Sequence, residues 1–418
     1  MQEGSQLVLG IDLCDDITQV TVMRPYSAEP EAVAFDALTR REFLPTVLVS
    51  LGDTWKLEES TETEGKRASA FFHAAMLGRE TAGGKDEPNA RELTELFLKL
   101  LLKRIEERFY SQEIGLIAVT CEEADNEASA EFLRNLFLGL GWKEDRVLIL
   151  SHLTAFLNYS LRQEEGLWKK GAAAFDYTTG GLRFYSMECY MRGGERLLLS
   201  DLRDYSDTMP ADYIKTETTE RAALTFERLA GKELQGKTAT LYITGRGFEG
   251  EWTSEVLRML SVGRRVFRGQ NLYTQGACYK AADIFFRNQK APFSVFWPDQ
   301  ITYDVFLQAE TTDEQELCLA HAGETFGQIH SEVTVLLDTV DRLTFRVTKV
   351  ATDREYQLRI APGDLTVRAD RTSRYAVRVF FVTKTQMVIQ LKDLGFGDFY
   401  PSTGRLYEEI IDLAQLEQ

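Results

Sequence analysis

The stretch KKGAAAFDYTTGGLRFYSM, residues 169–187, reads as an apolar strand, an aspartate, a tight turn with two glycines and a second apolar strand. A hairpin of this shape can cradle a phosphate, because glycine lets backbone come close to a ligand. Two threonines, Thr178 and Thr179, stand where such a cradle wants glycines. A hairpin of the same kind opens the chain: residues 6–13 and 17–23 alternate as strands around the turn Cys14, Asp15, Asp16. Each hairpin carries an aspartate near its turn, Asp12 in the first and Asp176 in the second. Each leads into further strands and helices, which predicts an internally duplicated α/β protein.

Working outward, residues 31–38 and 45–50 continue the first strand series, and residues 55–88 read as loop and short helix. Residues 89–109 form an amphipathic helix, with Leu93, Leu96, Phe97, Leu100, Leu101 and Ile105 at helical spacing. An apolar strand (113–120), a helix (122–141), a short strand (146–150) and a helix capped by Ser151 (151–163) follow. That rhythm means a sheet with crossover helices. After the second hairpin come a strand (195–202), a helix (216–232), a strand (238–245), a helix (250–261), a short strand over RRVFRG and a helix (271–288) that contains Gly276. Beyond residues 288–292 the character changes. Residues 300–393 read almost wholly as strands with turns every eight to twelve residues, the rhythm of a β-sandwich. A short helix is expected over RLYEEIIDLAQ near the end.

The 418 residues carry a net charge of −17, a surface that repels nucleic acid and anionic lipid. GRRVFRG, residues 263–269, reads as a half-exposed strand rather than a basic patch. Five cysteines (14, 121, 189, 278, 318) and four histidines (73, 152, 321, 330) form no paired motif, so no disulfide or metal framework is expected and each histidine reads as structural or surface. No segment reaches the ~20 apolar residues of a membrane span. The N-terminal residues lack the pattern of a secretory signal, and a cytoplasmic location is expected.

In this order the pieces resemble the Hsp70 branch of the actin-like ATPase superfamily. LVLGIDLCDDITQVTV is similar to that family's first phosphate hairpin, Gly-Ile-Asp-Leu-Gly-Thr-Thr, and AAAFDYTTGG to its second, Asp-Leu-Gly-Gly-Gly-Thr. NYSL (158–161), ERAA (220–223), LYITGRG (241–247) and FRGQNLYTQGACYKAA resemble its later motifs. The resemblance implies a two-lobed actin-like domain (lobes about 1–165 and 166–290) followed by a β-sandwich (291–418) placed like a substrate-binding domain without its helical lid. It also implies that Asp12, Asp176, Gly180, Gly181 and Gly245 would bind ATP and Mg²⁺ if nucleotide binding is retained.

The departures point the other way. Cys14 replaces a glycine, Asp15 and Asp16 replace two threonines, Thr178 and Thr179 replace two glycines, and Ala223 replaces a lysine. A carboxylate about 4 Å from a phosphate charge is opposed by about 4 kcal/mol at an effective dielectric of about 20. The expectation is therefore an eroded nucleotide site with no cofactor favoured. It includes a binding or scaffolding role toward a protein or peptide, chaperone-like in kind, with a working ATPase as the alternative.

Overall fold

The computed structural model describes residues 6–36, 39–52, 54–58, 65–79, 88–234, 238–269, 271–287, 293–309, 316–337, 342–361, 368 and 371–417. The chain is mixed α/β with open sheets and no barrel among the described residues. It divides into two compact units: Met1–Glu188 with Leu202–Ala291, and Cys189–Asp201 with Pro292–Gln418.

In the first unit the main strands are β1 (Gln6–Leu13), β2 (Ile17–Met23), β3 (Glu31–Ala32), β4 (Glu113–Cys121), β5 (Val147–Ser151), β6 (Ala172–Thr178), β7 (Gly181–Arg192), β8 (Glu195–Asp204), β9 (Thr240–Thr244) and β10 (Arg265–Arg268). The helices that frame them are α1 (Phe71–Met76), α2 (Ala90–Arg108), α3 (Glu127–Gly139), α4 (His152–Ser160), α5 (Thr219–Glu233), α6 (Trp252–Leu260) and α7 (Leu272–Ala282). One sheet runs β3-β2-β1-β4-β5, and the other repeats that order as β8-β7-β6-β9-β10. In each, the strand that carries the aspartate pairs antiparallel with its hairpin partner and parallel with β4 or β9. The β7–β8 hairpin outgrows this unit: its tip, Cys189–Asp201, belongs to the second.

Strand alternation sets which side chain goes where. Leu7, Leu9, Ile11 and Leu13 of β1 join one core with Phe97, Leu98 and Leu101 of α2 and Phe137 of α3. Val8, on the opposite face, packs with Ala277, Cys278 and Ala281 of α7. Asp12 shares that second face. In β6, Ala173, Phe175 and Tyr177 pack with Phe226 of α5 and Trp252 of α6, which leaves Asp176 on the other face. The helices α4 and α7 lie in close contact. A Cβ on Gly276 would land 1.9 Å from the Ala155 carbonyl oxygen, and one on Gly10 would land 2.1 Å from that of Thr274. The glycine inside α7 is there for backbone approach, at a cost of about 1 kcal/mol in helix propensity.

The second unit has strands β11 (Phe293–Phe296), β12 (Tyr303–Gln308), β13 (Glu316–Ala320), β14 (His330–Leu337), β15 (Leu343–Lys349), β16 (Arg354–Ile360), β17 (Ser373–Phe381), β18 (Gln386–Asp393) and β19 (Leu406–Asp412). They form four-stranded sheets in the orders β13-β12-β15-β16 and β14-β17-β18-β19. Val305, Phe345 and Val347 of one sheet share a core with Val377, Val379 and Ile389 of the other. Arg196–Leu199 of β8 pair in parallel with β11.

Several expectations need correction. RLYEEIIDLAQ is strand β19 followed by a 3-10 turn, not a helix. Its residues alternate exposed and part-buried, and β18 satisfies its backbone. The strand expected over 31–38 shrinks to Glu31–Ala32, with Ala37 and Leu38 outside the described residues. The helix expected over 122–141 is a 3-10 turn, Glu122–Asp125, and then α3, because Asn126 caps α3 through its side chain. Most of the strand expected at LTVRAD, and parts of the 55–88 stretch, lie outside the described residues.

Candidate functional site

The carboxyl ends of β1, β4, β5, β6 and β9 converge. Register places Asp12 beside Thr120, Cys121 beside Ser151, and Asp176 beside Thr244. Ser151 caps α4, its Oγ accepting from the Thr154 amide at 3.2 Å. The next residue, His152, is thereby carried inward and is fully buried.

His152 bridges the two aspartates. Its Nε2 is 2.8 Å from Asp12 Oδ1, and its Nδ1 is 3.4 Å from Asp176 Oδ2. The ring stacks on Tyr273 of α7, with centroids 3.8 Å apart and planes within 6°. Burial alone would lower the imidazole pKa, but Asp12, through charge and hydrogen bond, and then Asp176 push it up to about 10. A carboxylate facing each ring nitrogen favours the protonated imidazole. Burial pushes Asp12 up from the usual carboxylate range, and His152 pulls it back. Burial, joined by Asp12, Asp16, Asp176 and Glu122, pushes the Cys14 thiol well up, so Cys14 is a neutral thiol. The remaining cavity, about 20 Å³, is lined by Asp12, Cys14, Asp16, Asp176, Arg246 and Tyr273 among others. That is room for about one water.

A second contact closes the other hairpin. Thr178 Oγ1 donates to Glu122 Oε2 at 2.8 Å, and Arg183 Nε pairs with Glu122 Oε1 at 2.9 Å. Gly180 is hemmed by the same carboxylate: a Cβ there would land 2.2 Å from Glu122 Oε1. Burial pushes the Glu122 carboxyl up to about 7, with Arg183 opposing. A protein carboxylate thus sits in the turn between β6 and β7.

Asp12, Cys14 and His152 each present a donor atom within 4.8 Å of the others. The His152 Nε2 is already engaged with Asp12, so an ion there must displace that contact.

A family model matches residues 29–296, well over half the chain; its description is family of unknown function DUF5716, C-terminal. The chain belongs to the DUF5716 C-terminal family. A domain of unknown function, DUF8552, matches residues 300–413. No curated protein matches the chain.

In this DUF5716 chain, Asp12, Asp176 and Gly245 line one cavity. Gly180 lines a neighbouring one of about 40 Å³ with Asp15, His73, Glu122 and Glu123. Gly181 is needed for its φ of +101° and for tight packing on Ser206. Gly245, at φ +90°, abuts the Tyr177 backbone. Asp15 does not face Asp12. Its Oδ1 accepts the amides of Phe72 and His73 at 2.9 and 3.1 Å, capping α1, whose own N-cap residue, Ala70, lends no side chain. Asp16 stays on the cavity wall and accepts from the Ile17 amide.

Sequence reasoning missed His152 and Glu122. The available signals were a histidine directly after a helix cap on an otherwise apolar helix, and the acidic pair that follows β4. Neither signal names its partner.

Proposed function

We propose that the first unit is an actin-like two-lobed domain of the Hsp70 branch whose nucleotide seat is filled by its own side chains. On this reading the protein is a binding scaffold for a protein or peptide, chaperone-like in kind, and not an ATP hydrolase. The repeated strand order and the aspartate at each hairpin support the kinship. The observation that carries the loss of nucleotide is His152 held between Asp12 and Asp176. In an ATPase of this kind a cation and a phosphate meet at the hairpins. Here the His152 imidazole takes the place of the cation, and the Glu122 carboxyl occupies the place of the phosphate beside Thr178 and Arg183.

Mg²⁺ fits this setting poorly. It takes octahedral oxygen ligands and keeps several waters. The space between the aspartates holds an imidazole, the nearest further donor is a thiol, and the cavity admits about one water. The alternative reading, retained Mg-ATP binding, draws on Arg246 lining the cavity and on Asp15 facing away from it.

Thermal unfolding with and without millimolar Mg-ATP separates the two. A ligand at about 100 times its Kd adds about 2.7 kcal/mol. The scaffold reading predicts no shift; a clear upward shift favours the alternative.

A further inference from the structure

The second unit carries a cysteine–histidine pair remote in sequence from the hairpins. Cys318, on β13, is exposed, and its Sγ lies 3.2 Å from Nε2 of His321 in the turn that follows. Asp304, on β12, lies near the ring: its Oδ1 is 3.7 Å from His321 Nδ1, a charge contact longer than a hydrogen bond. The same oxygen accepts the Ala322 amide at 2.9 Å, which fixes the carboxylate in place. Glu324 ties the turn by accepting the His321 amide at 3.2 Å. The β12–β13 register shifts between Val305 and Phe306, where Phe306 stands opposite Cys318. Phe306 meets the His321 ring edge-on, which gives the imidazole a fixed wall.

We infer that Cys318 and His321 form a site for a borderline-soft divalent cation of the Zn²⁺ class, with Asp304 as the residue that positions the imidazole. Thiolate and imidazole are the ligands that such ions prefer. Zn–S and Zn–N bonds of about 2.3 and 2.05 Å at a tetrahedral angle place the two ligand atoms about 3.6 Å apart. Sγ lies 3.2 Å from Nε2 and 3.6 Å from Nδ1, so the exposed imidazole must turn about its side-chain bonds to aim one nitrogen at an ion beside Cys318. A carboxylate on the far nitrogen of a metal-bound histidine is the usual second partner, because it fixes the tautomer and raises ligand basicity. Asp304 and Glu324 favour a cation here and oppose a free thiolate, while Arg346 acts in the other sense. Two protein ligands leave two tetrahedral positions for water or for a donor from another molecule. The sequence showed no such framework because a Cys-x-x-His spacing alone lacks the carboxylate, which arrives from a neighbouring strand.

The test is a Co²⁺ titration of the full chain, freed of metal, at about pH 8, since the thiol must lose its proton to ligate. The expected result is a thiolate-to-cobalt charge-transfer band that saturates near one equivalent. It should vanish in C318S, weaken at least about tenfold in H321A, and weaken about 10- to 100-fold in D304N. The C14S variant should keep it, which separates this site from the buried Cys14. Circular dichroism checks that each variant is folded. No band with millimolar Co²⁺, or a band that survives C318S, overturns the inference.

Discussion

His152 Nε2 lies 2.8 Å from Asp12 Oδ1, and both groups are buried. The pair joins residues 140 positions apart and links the start of α4 to the end of β1. A buried ion pair is weak evidence for stability by itself, but breaking one is costly because an uncompensated charge stays behind. Replacing His152 by Gln or Ala should therefore destabilise the protein by about 3–5 kcal/mol at neutral pH. Urea unfolding measures this. Adding D12N to H152Q should recover part of the loss, since one orphan charge then disappears. A loss under about 1 kcal/mol would mean that the aspartates are neutral without the imidazole.

The pH dependence has a definite sign. The His152 pKa rises from 6.5 to about 10 on folding. Its contribution is thus fully present below about pH 6.5 and is lost as pH climbs toward about 10. Glu122 rises from 4.5 to about 7. The folded state then holds a proton that the unfolded state gives up, so stability falls from about pH 4.5 to 7, by about 3 kcal/mol in all. In E122Q that decline should be missing relative to the wild type. Unfolding free energies at several pH values, compared between the two proteins, test both windows. Parallel curves would contradict the Glu122 assignment.

Asp15 serves α1 and not the cavity. D15A should cost about 1 kcal/mol, the usual worth of a lost cap, and should leave any response to Mg-ATP unchanged. A Mg-ATP response that first emerges in D15A would return this residue to the phosphate seat.

The Gly276–Ala155 contact holds α4 against α7. A methyl group there must push α4 and α7 apart, and G276A should cost about 1–3 kcal/mol despite the better helix propensity of alanine. A gain in stability would show that the two helices can separate freely. Because α4 and α7 carry His152 and Tyr273, the same variant should also disturb the ring stack, visible as a shift in the His152 resonances.

Local pattern made much of this fold legible. The limits of β1 and β2 follow from alternation, and α2 shows its apolar stripe. Ser151 was readable as a cap for the same reason. Segments whose form depends on a distant partner were not readable. The strand β19 needs β18 beside it, and a seven-residue run of Leu, Tyr, Glu, Ile and Asp suits either period. The two aspartates stood out in the sequence, but the turn residue Asp15 was read as facing a phosphate when its partner is a helix 57 residues away. His152 is the sharpest case. Nothing in SHLTAFL says that two carboxylates, one from each hairpin, close on that ring.

The most direct test is ¹⁵N NMR of the His152 side chain at about pH 8, with the H152Q spectrum used for assignment. An ordinary histidine, with a pKa of about 6.5, is neutral there. An imidazolium, with both ring nitrogens protonated, is the predicted result. A neutral ring with one unprotonated nitrogen would contradict it, and the cleft would then lack the positive charge on which its proposed closure to Mg-ATP rests.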